Sequence, residues 1–597
     1  MTAPAVFTLP ALAGFYAAGG SPVAVADAAL ARIAEWDDPA LFLVRVPPHA
    51  VRARAATLAA EGPQGRALFG VPFVVKDNID VAGLPTTAAC PDYAYTPVED
   101  APVVARLLAA GAVLLGKVNL DQFATGLNGT RSPHGTPRNP VVPDCVPGGS
   151  SSGSATTVAA GIAAFSLGTD TAGSGRVPAM VNNIVGLKPS LGLVPTQGVV
   201  PACRSLDVVS VFALTVADAA AVLEVMAGVA PADRYARAAP PGWRAAPAPQ
   251  PAWRLAAPLS EQLVFDSPDD AALYDAALAR AVALGGTVTR VDIAPFLAIA
   301  RRLYDGAWVA ERTAALRDLL AAKPEAIHPV TRGILEAGLS KLTIDAWEDF
   351  HAAAEARRLA RALFAGADIL LLPTAPGTPT LADLAAEPVA ANSRLGTYTN
   401  FVNICDLSAL AVPSGFRADG RPAGVTLVGP AFAEARLAGL GAALHAVAGV
   451  TLGATGAPTP PPPAPPVLAP GEIPLLAIGA HMAGLPLNPQ VLRHGGRFVT
   501  AARTAPLYRF HDLGNRPGLV RVAEGGVAIA GEVWAFPAAS IGPFLAEIPP
   551  PLGFGRVTLE DGSTPLGFLC EAAGVIGAPD ISATGGWRAH MKAKEQA

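Results

Sequence analysis

The chain has 597 residues, 51% of them apolar and only 15% charged, which is ample material for large buried cores and for more than one domain. Its formal net charge of −5 is nearly neutral for this length, so no broad field exists to gather nucleic acid, and an anionic small substrate would need a local cation. Five scattered cysteines, Cys90, Cys145, Cys203, Cys405 and Cys570, lack CxxC spacing, which argues against a disulfide framework or a zinc site and fits a reducing cytoplasm.

In chain order, the opening "MTAPAVFTLPALAGFYAAGG" has no basic n-region, so no secretory signal is expected there. No uninterrupted apolar run reaches the length of a membrane span, about 18 residues. "SPVAVADAALARIAEW" predicts a helix with Ser21 as N-cap and Pro22 in its first turn. "RALFGVPFVVKDNIDVAG" predicts a buried strand ending in polar residues, and "APVVARLLAAGAVLLGKVNL" a helix, a stop at Gly111 and a short strand. This alternation predicts an α/β layer structure with a largely buried sheet. The stretch from about 220 to 360 reads as mostly helical. "TGAPTPPPPAPPVLAPGE", residues 455–472, holds eight prolines and predicts a semi-rigid extended spacer. Beyond it, "PLLAIGAHMAG", "GRFVTAARTAPLYRFHDL", "GVAIAGEVWAF" and "TPLGFLCEAAGV" predict a small β-rich unit.

Between Cys145 and Ala179 lies "CVPGGSSSGSATTVAAGIAAFSLGTDTAGSGRVPA", rich in serine and glycine. A flexible linker would be polar throughout, yet residues 155–168 are apolar enough to be buried, so the glycines indicate tight turns and close backbone approach. A serine nucleophile needs a base, and the nearby His134 belongs to no triad motif. Lysine serves only when burial or neighbouring charge lowers its pKa. Lys76 ends an apolar run; taken alone, it reads first as a surface lysine at a strand end.

Three ordered motifs change that weighing: "VKDN" at 75–78, "GGSSSGSA" at 148–155 and "GTDTAGSGR" at 168–176. With Ser150 and Ser174 standing 24 residues apart, they resemble the amidase signature family. The resemblance implies an α/β fold with a mixed β-sheet layered between helices. It makes Ser174 the nucleophile, Ser150 the bridging serine on a cis peptide, and Lys76 the base and later the acid. It also implies an oxyanion hole built from the N–H groups of Thr171, Ala172, Gly173 and Ser174. Asp170 and Arg176 are read as a pair that shapes the loop. Ser152 stands where the family commonly has glycine, and Ala172 replaces the first of two glycines; neither change removes a side chain the mechanism needs.

Two features bear on the substrate. In "RRLYDGAWVAERTAAL", Tyr304 and Arg312 are eight residues apart, on one side of a predicted helix. Alone, Arg312 reads as an exposed residue of an amphipathic helix. The proline-linked tail is the second feature, since most amidases of the family lack one. With "ANSRLGTYTNFVNICDLSALAVPSGF" (391–416) and "IGAHMAGLPLN" (478–488), the chain resembles the allophanate hydrolases within the wider family. That resemblance divides it into a catalytic domain (1–454), the linker (455–472) and an α+β, β-rich, γ-glutamyl-cyclotransferase-like domain (473–597). It implies that Tyr304 and Arg312 hold the carboxylate of allophanate, and that the first domain releases ammonia and N-carboxycarbamate. The tail would then promote decarboxylation through His481, a residue that reads equally well as structural. Asn488, Arg509, Glu532, Trp534 and Arg588 are further candidates around it. A cytoplasmic homodimer is implied, with no nucleic-acid or membrane partner. Neither GxxxxGK[ST] nor HExxH occurs, so no cofactor or metal is expected. Three alternatives stay open: an amidase for neutral amides, a component of a transamidation complex, and a tail that serves only dimerisation.

Overall fold

The computed structural model describes residues 1–461, 468–469 and 471–596; part of the expected proline-rich spacer, 462–467 and 470, lies outside the described residues. The chain forms two compact units. The larger is built around an eleven-stranded mixed sheet. Its strands are β1 (Phe42–Arg45), β2 (Pro72–Lys76), β3 (Val113–Val118), β4 (Phe165–Asp170), β5 (Val185–Lys188), β6 (Val208–Ala213), β7 (Trp253–Pro258), β8 (Gly286–Val291), β9 (Ile369–Pro373), β10 (Leu407–Phe416) and β11 (Pro422–Pro430). They lie in the order β1-β3-β2-β4-β6-β5-β10-β11-β9-β7-β8.

The continuous apolar run before Lys76 becomes β2, buried at every residue and flanked by β3 and β4, both parallel to it. A parallel strand covered on both faces selects such an unbroken run. Because β2 and β4 run the same way, their carboxyl ends lie together and bring Lys76 beside the serine-rich loops. Glycine sets the approach to β3: Gly111 takes φ +93 between the helix Pro102–Ala109 and the strand. Ser21 caps the helix Pro22–Trp36 through a bond from Val23 N–H. The apolar part of the serine-rich stretch divides into a fully buried helix, Ser152–Ala159, and β4. The 220–360 region is largely helical but also holds β7 and β8, which the pattern missed.

The smaller unit carries a five-stranded sheet in the order β13-β16-β12-β18-β17. These are β12 (Glu472–Ala477), β13 (Arg497–Arg503), β16 (Ala530–Pro537), β17 (Leu552–Arg556) and β18 (Leu566–Cys570), with β14 (Tyr508–Asp512) and β15 (Pro517–Arg521) forming a separate ribbon. Trp534, Tyr508, Phe536, Phe544 and Phe568 fill its core. Pro240–Arg244 and Ala248–Arg254, from well before the proline-rich stretch, belong to this unit. Among the described residues no helix is long and apolar enough to cross a membrane.

Candidate active site

Lys76 is the last residue of β2 and is fully buried. Its Nζ lies 2.7 Å from Ser150 Oγ and 2.7 Å from Thr169 Oγ1. Burial drives its pKa down to about 7, against the opposing pull of Asp121, Asp207 and Asp170. The peptide between Gly149 and Ser150 is cis. Glycine is required there because a Cβ at Gly149 would run into the Asp121 carboxylate. Asp121 braces this turn: its N–H donates to Ser150 O at 3.0 Å, and its carboxylate accepts from Gly129 and Arg131 N–H at 3.0 and 2.9 Å.

Ser174 sits on the loop after β4, 3% exposed. Its Oγ points to Gly126 O at 3.5 Å rather than to Ser150, so the lysine and the bridging serine are joined while the third member is turned aside. Asp170 and Arg176 form a buried two-point ion pair, with Nε and Nη2 each 2.9 Å from a carboxylate oxygen. Burial alone would favour the neutral acid, but Arg176 holds the Asp170 carboxyl below the usual range. Asp170 also accepts from Gly173 and Gly175 N–H, both at 2.9 Å.

That last contact corrects the expected oxyanion hole. Gly173 N–H is already committed to Asp170, whereas the amides of Thr171, Ala172 and Ser174 donate to none of the described residues. Gly173 has a different duty: at φ +136 it presses against Thr399, whose hydroxyl donates to Ala172 O at 2.7 Å. Thr171 Oγ1 is hydrogen-bonded to Asp207, whose carboxyl burial pushes up to about 6.

Tyr304 and Arg312 do not share a helix. The chain breaks at Gly306, ending the helix Ala294–Asp305 and beginning Trp308–Ala322. Asp349 stabilises the break, its carboxylate accepting from Ala307 N–H at 2.5 Å and from Arg302 at 2.6 Å. The two side chains meet nonetheless, with the Arg312 guanidinium 5.1 Å from the centre of the Tyr304 ring. Arg312 is buried, not surface-exposed, and donates to Thr125 Oγ1 at 3.3 Å, while its Nε and Nη2 have no protein partner among the described residues. A buried guanidinium with two unused donors is shaped to receive a planar anion.

In the smaller unit His481 follows β12 and is 7% exposed. Its ring stacks on Phe568 at 4.9 Å, and its Nε2 is 2.9 Å from Gln490 Oε1. Burial lowers its pKa, so the ring is neutral near pH 7. Four of the five neighbours suggested by the sequence gather here. Asn488 donates to His481 O at 3.0 Å; Glu532 accepts from Ala483 N–H, Trp534 and Arg588. Arg509 instead pairs with Asp580 at 3.1 Å. A cavity of about 870 Å³ in this unit, lined by Val499, Arg503, Val533, Arg556 and Leu559, does not include His481.

Sequence reasoning missed Thr169, Asp121, Thr125, Asn403 and Asp207. Thr169 was legible in principle, since it stands one residue before Asp170 on the strand parallel to β2. The others reach the site from distant loops. Asn403, for instance, donates to Asp170 O and Leu206 O at 2.8 and 2.9 Å.

The allophanate hydrolase C-terminal domain model matches residues 473–592. An allophanate hydrolase from Kluyveromyces lactis superposes with a TM-score of 0.78 and 38% identity, covering 99% of this chain and 100% of that one. A urea amidolyase from Saccharomyces cerevisiae is 40% identical over 549 residues; the match takes in 88% of this chain but only 30% of the yeast protein's length. The amidase-type component of a glutamyl-tRNA(Gln) amidotransferase from Synechococcus is 38% identical over 405 residues, 63% of this chain and 82% of that protein. The amidase family model extends over residues 24–438, more than half of the sequence, and the chain belongs to the amidase family.

Proposed function

We propose that this enzyme hydrolyses allophanate, with Lys76, Ser150 and Ser174 as its catalytic relay. The observation that carries the choice of substrate is buried Arg312, with two unpartnered donors beside Tyr304, in a unit that also holds a lysine of lowered pKa. Allophanate has an amide at one end and a carboxylate at the other. Arg312 and Tyr304 bind the carboxylate, which leaves the amide carbonyl for Ser174.

Ser174 Oγ turns from Gly126 toward Ser150 and attacks that carbonyl. Its proton passes to Ser150, whose own proton passes to neutral Lys76. The oxyanion is stabilised by the open amides of Thr171, Ala172 and Ser174, each such donor being worth about 3–4 kcal/mol. Asp170 and Arg176 keep these amides pointed inward. Lys76 returns the proton through Ser150 to the leaving nitrogen, and ammonia departs from an acyl-Ser174. Water, deprotonated by the same relay, then releases N-carboxycarbamate. In the smaller unit, neutral His481 assists its decarboxylation, giving ammonia and carbon dioxide as net products. Allophanate arises from urea or from s-triazine breakdown.

The K. lactis likeness across both units supports this reading. The amidotransferase reading accounts for less of the chain, since that relative matches 63% of it. We further place the enzyme in the cytoplasm as a homodimer; its five free, buried cysteines suit a reducing compartment. The deciding experiment is ammonia release by purified protein from allophanate, compared with urea, biuret and a neutral amide. Equal or better turnover of the neutral amide would end the allophanate assignment.

A further inference from the structure

The larger unit exposes an apolar face that its own chain does not cover. The helix Thr343–Gly366 packs one side inward through Asp349, Ala353, Ala356 and Ala360. Along the opposite side, three- and four-residue steps bring Ile344, Trp347, His351, Ala354 and Arg358 into one stripe. Trp347 is 58% and Phe350 57% exposed, and Leu339, Leu342 and Ile344 are each more than 60% exposed. Trp347, Phe350 and His351 form one aromatic cluster, with centroids 5.7 to 6.4 Å apart. Soluble monomers seldom leave a continuous surface of this kind in water.

Charge identifies the occupant. The first half of the helix carries Asp345, Glu348 and Asp349; the second carries Arg357, Arg358 and Arg361 against a single Glu355. A helix that is acidic at its start and basic at its end complements a copy of itself laid antiparallel, and a twofold axis is the operation that makes one patch fit itself. We propose that this face, Leu339 to Arg361, is the homodimer interface, with the two helices crossing antiparallel near Ala354. Trp347 and Glu348 then lie against the partner's Arg361 and the partner's Arg358, and the two aromatic clusters flank the axis. This inference rests on the homodimer reading above and names the surface that makes it.

Sedimentation velocity and cysteine cross-linking test it. The unaltered protein is expected to sediment as a dimer at micromolar concentration. Trp347→Glu combined with Phe350→Glu is expected to raise the dissociation constant by about 100-fold or more, as loss of central aromatic anchors does, with an unchanged melting temperature. Because all five natural cysteines are buried, oxidised Ala354→Cys should give a covalent dimer against little background. Glu348→Arg should weaken the dimer, and adding Arg361→Glu should restore it. A monomeric unaltered protein would overturn both the homodimer reading and this surface. A dimer unmoved by the double variant, or no cross-link through Ala354→Cys, would overturn the surface alone and leave the homodimer reading standing.

Discussion

Lys76 and Ser150, 74 residues apart in sequence, meet inside the protein with 2.7 Å between Nζ and Oγ. Thr169 takes a second bond from the same amine, which orients it toward the serine. The relay acts as a unit, so losing either end removes most of the chemistry. Ser174→Ala and Lys76→Ala are each expected to cut ammonia release from allophanate by about 10³-fold or more. A melting temperature near that of the unaltered enzyme would show that Ser174→Ala folds. Retention of most activity in either variant rules out the relay.

The working form of Lys76 is the neutral amine, and its pKa of about 7 sets the pH dependence. Activity at limiting substrate should rise through about pH 7 and level off above it. Stability should climb as well. Between about 7 and the ordinary 10.5 the unfolded chain holds a proton on this lysine that the folded chain has given up, so raising pH favours the folded state. Melting curves from pH 7 to 9 should show a shallower climb for Lys76→Met than for the unaltered enzyme. Parallel curves would mean that Lys76 is not the buried neutral base.

Arg312 selects for charge. Truncating one side of a buried charge-assisted contact costs about 2–5 kcal/mol, so Arg312→Ala should lower kcat/KM on allophanate by about 10²- to 10³-fold. Turnover of a small neutral amide should change little. Equal losses on both substrates would assign Arg312 to the fold rather than to the carboxylate.

The Asp170–Arg176 pair holds the nucleophile loop from the inside. Removing one member leaves an uncompensated buried charge, and Asp170→Ala should destabilise the larger unit by about 3–5 kcal/mol. Denaturant melts read this directly. A loss below about 1 kcal/mol would show that the loop keeps its shape without the pair.

His481 lies outside the amide chemistry, so His481→Ala should leave the first ammonia release intact and slow only the later decarboxylation. Carbon-13 NMR of labelled allophanate should then reveal N-carboxycarbamate accumulating. Identical time courses for the variant and the unaltered enzyme would assign His481 to packing alone, in keeping with its stack on Phe568.

Local sequence was sufficient for much of this enzyme. The unbroken apolar run before Lys76 specifies a strand buried on both faces, because only such a run can sit between parallel neighbours without stranding a polar group. The glycines around Ser150 and Ser174 mark backbone that a Cβ would obstruct, and the motif spacing marks the two serines and the lysine as one apparatus. What the tertiary structure decided depends on residues far apart in the chain. Lys76 is a base because surrounding loops exclude water from it. Gly173 N–H is closed to an oxyanion because Asp170 turns back on it, and Gly306 parts one expected helix into two that still deliver Arg312 to Tyr304. The smaller unit recruits 240–244 and 248–254 from ahead of the proline-rich stretch, a membership that no linear reading of domains contains. Periodicity and propensity report on neighbours within a few residues, whereas burial, orientation and pKa arise from contacts made when distant segments close on one another.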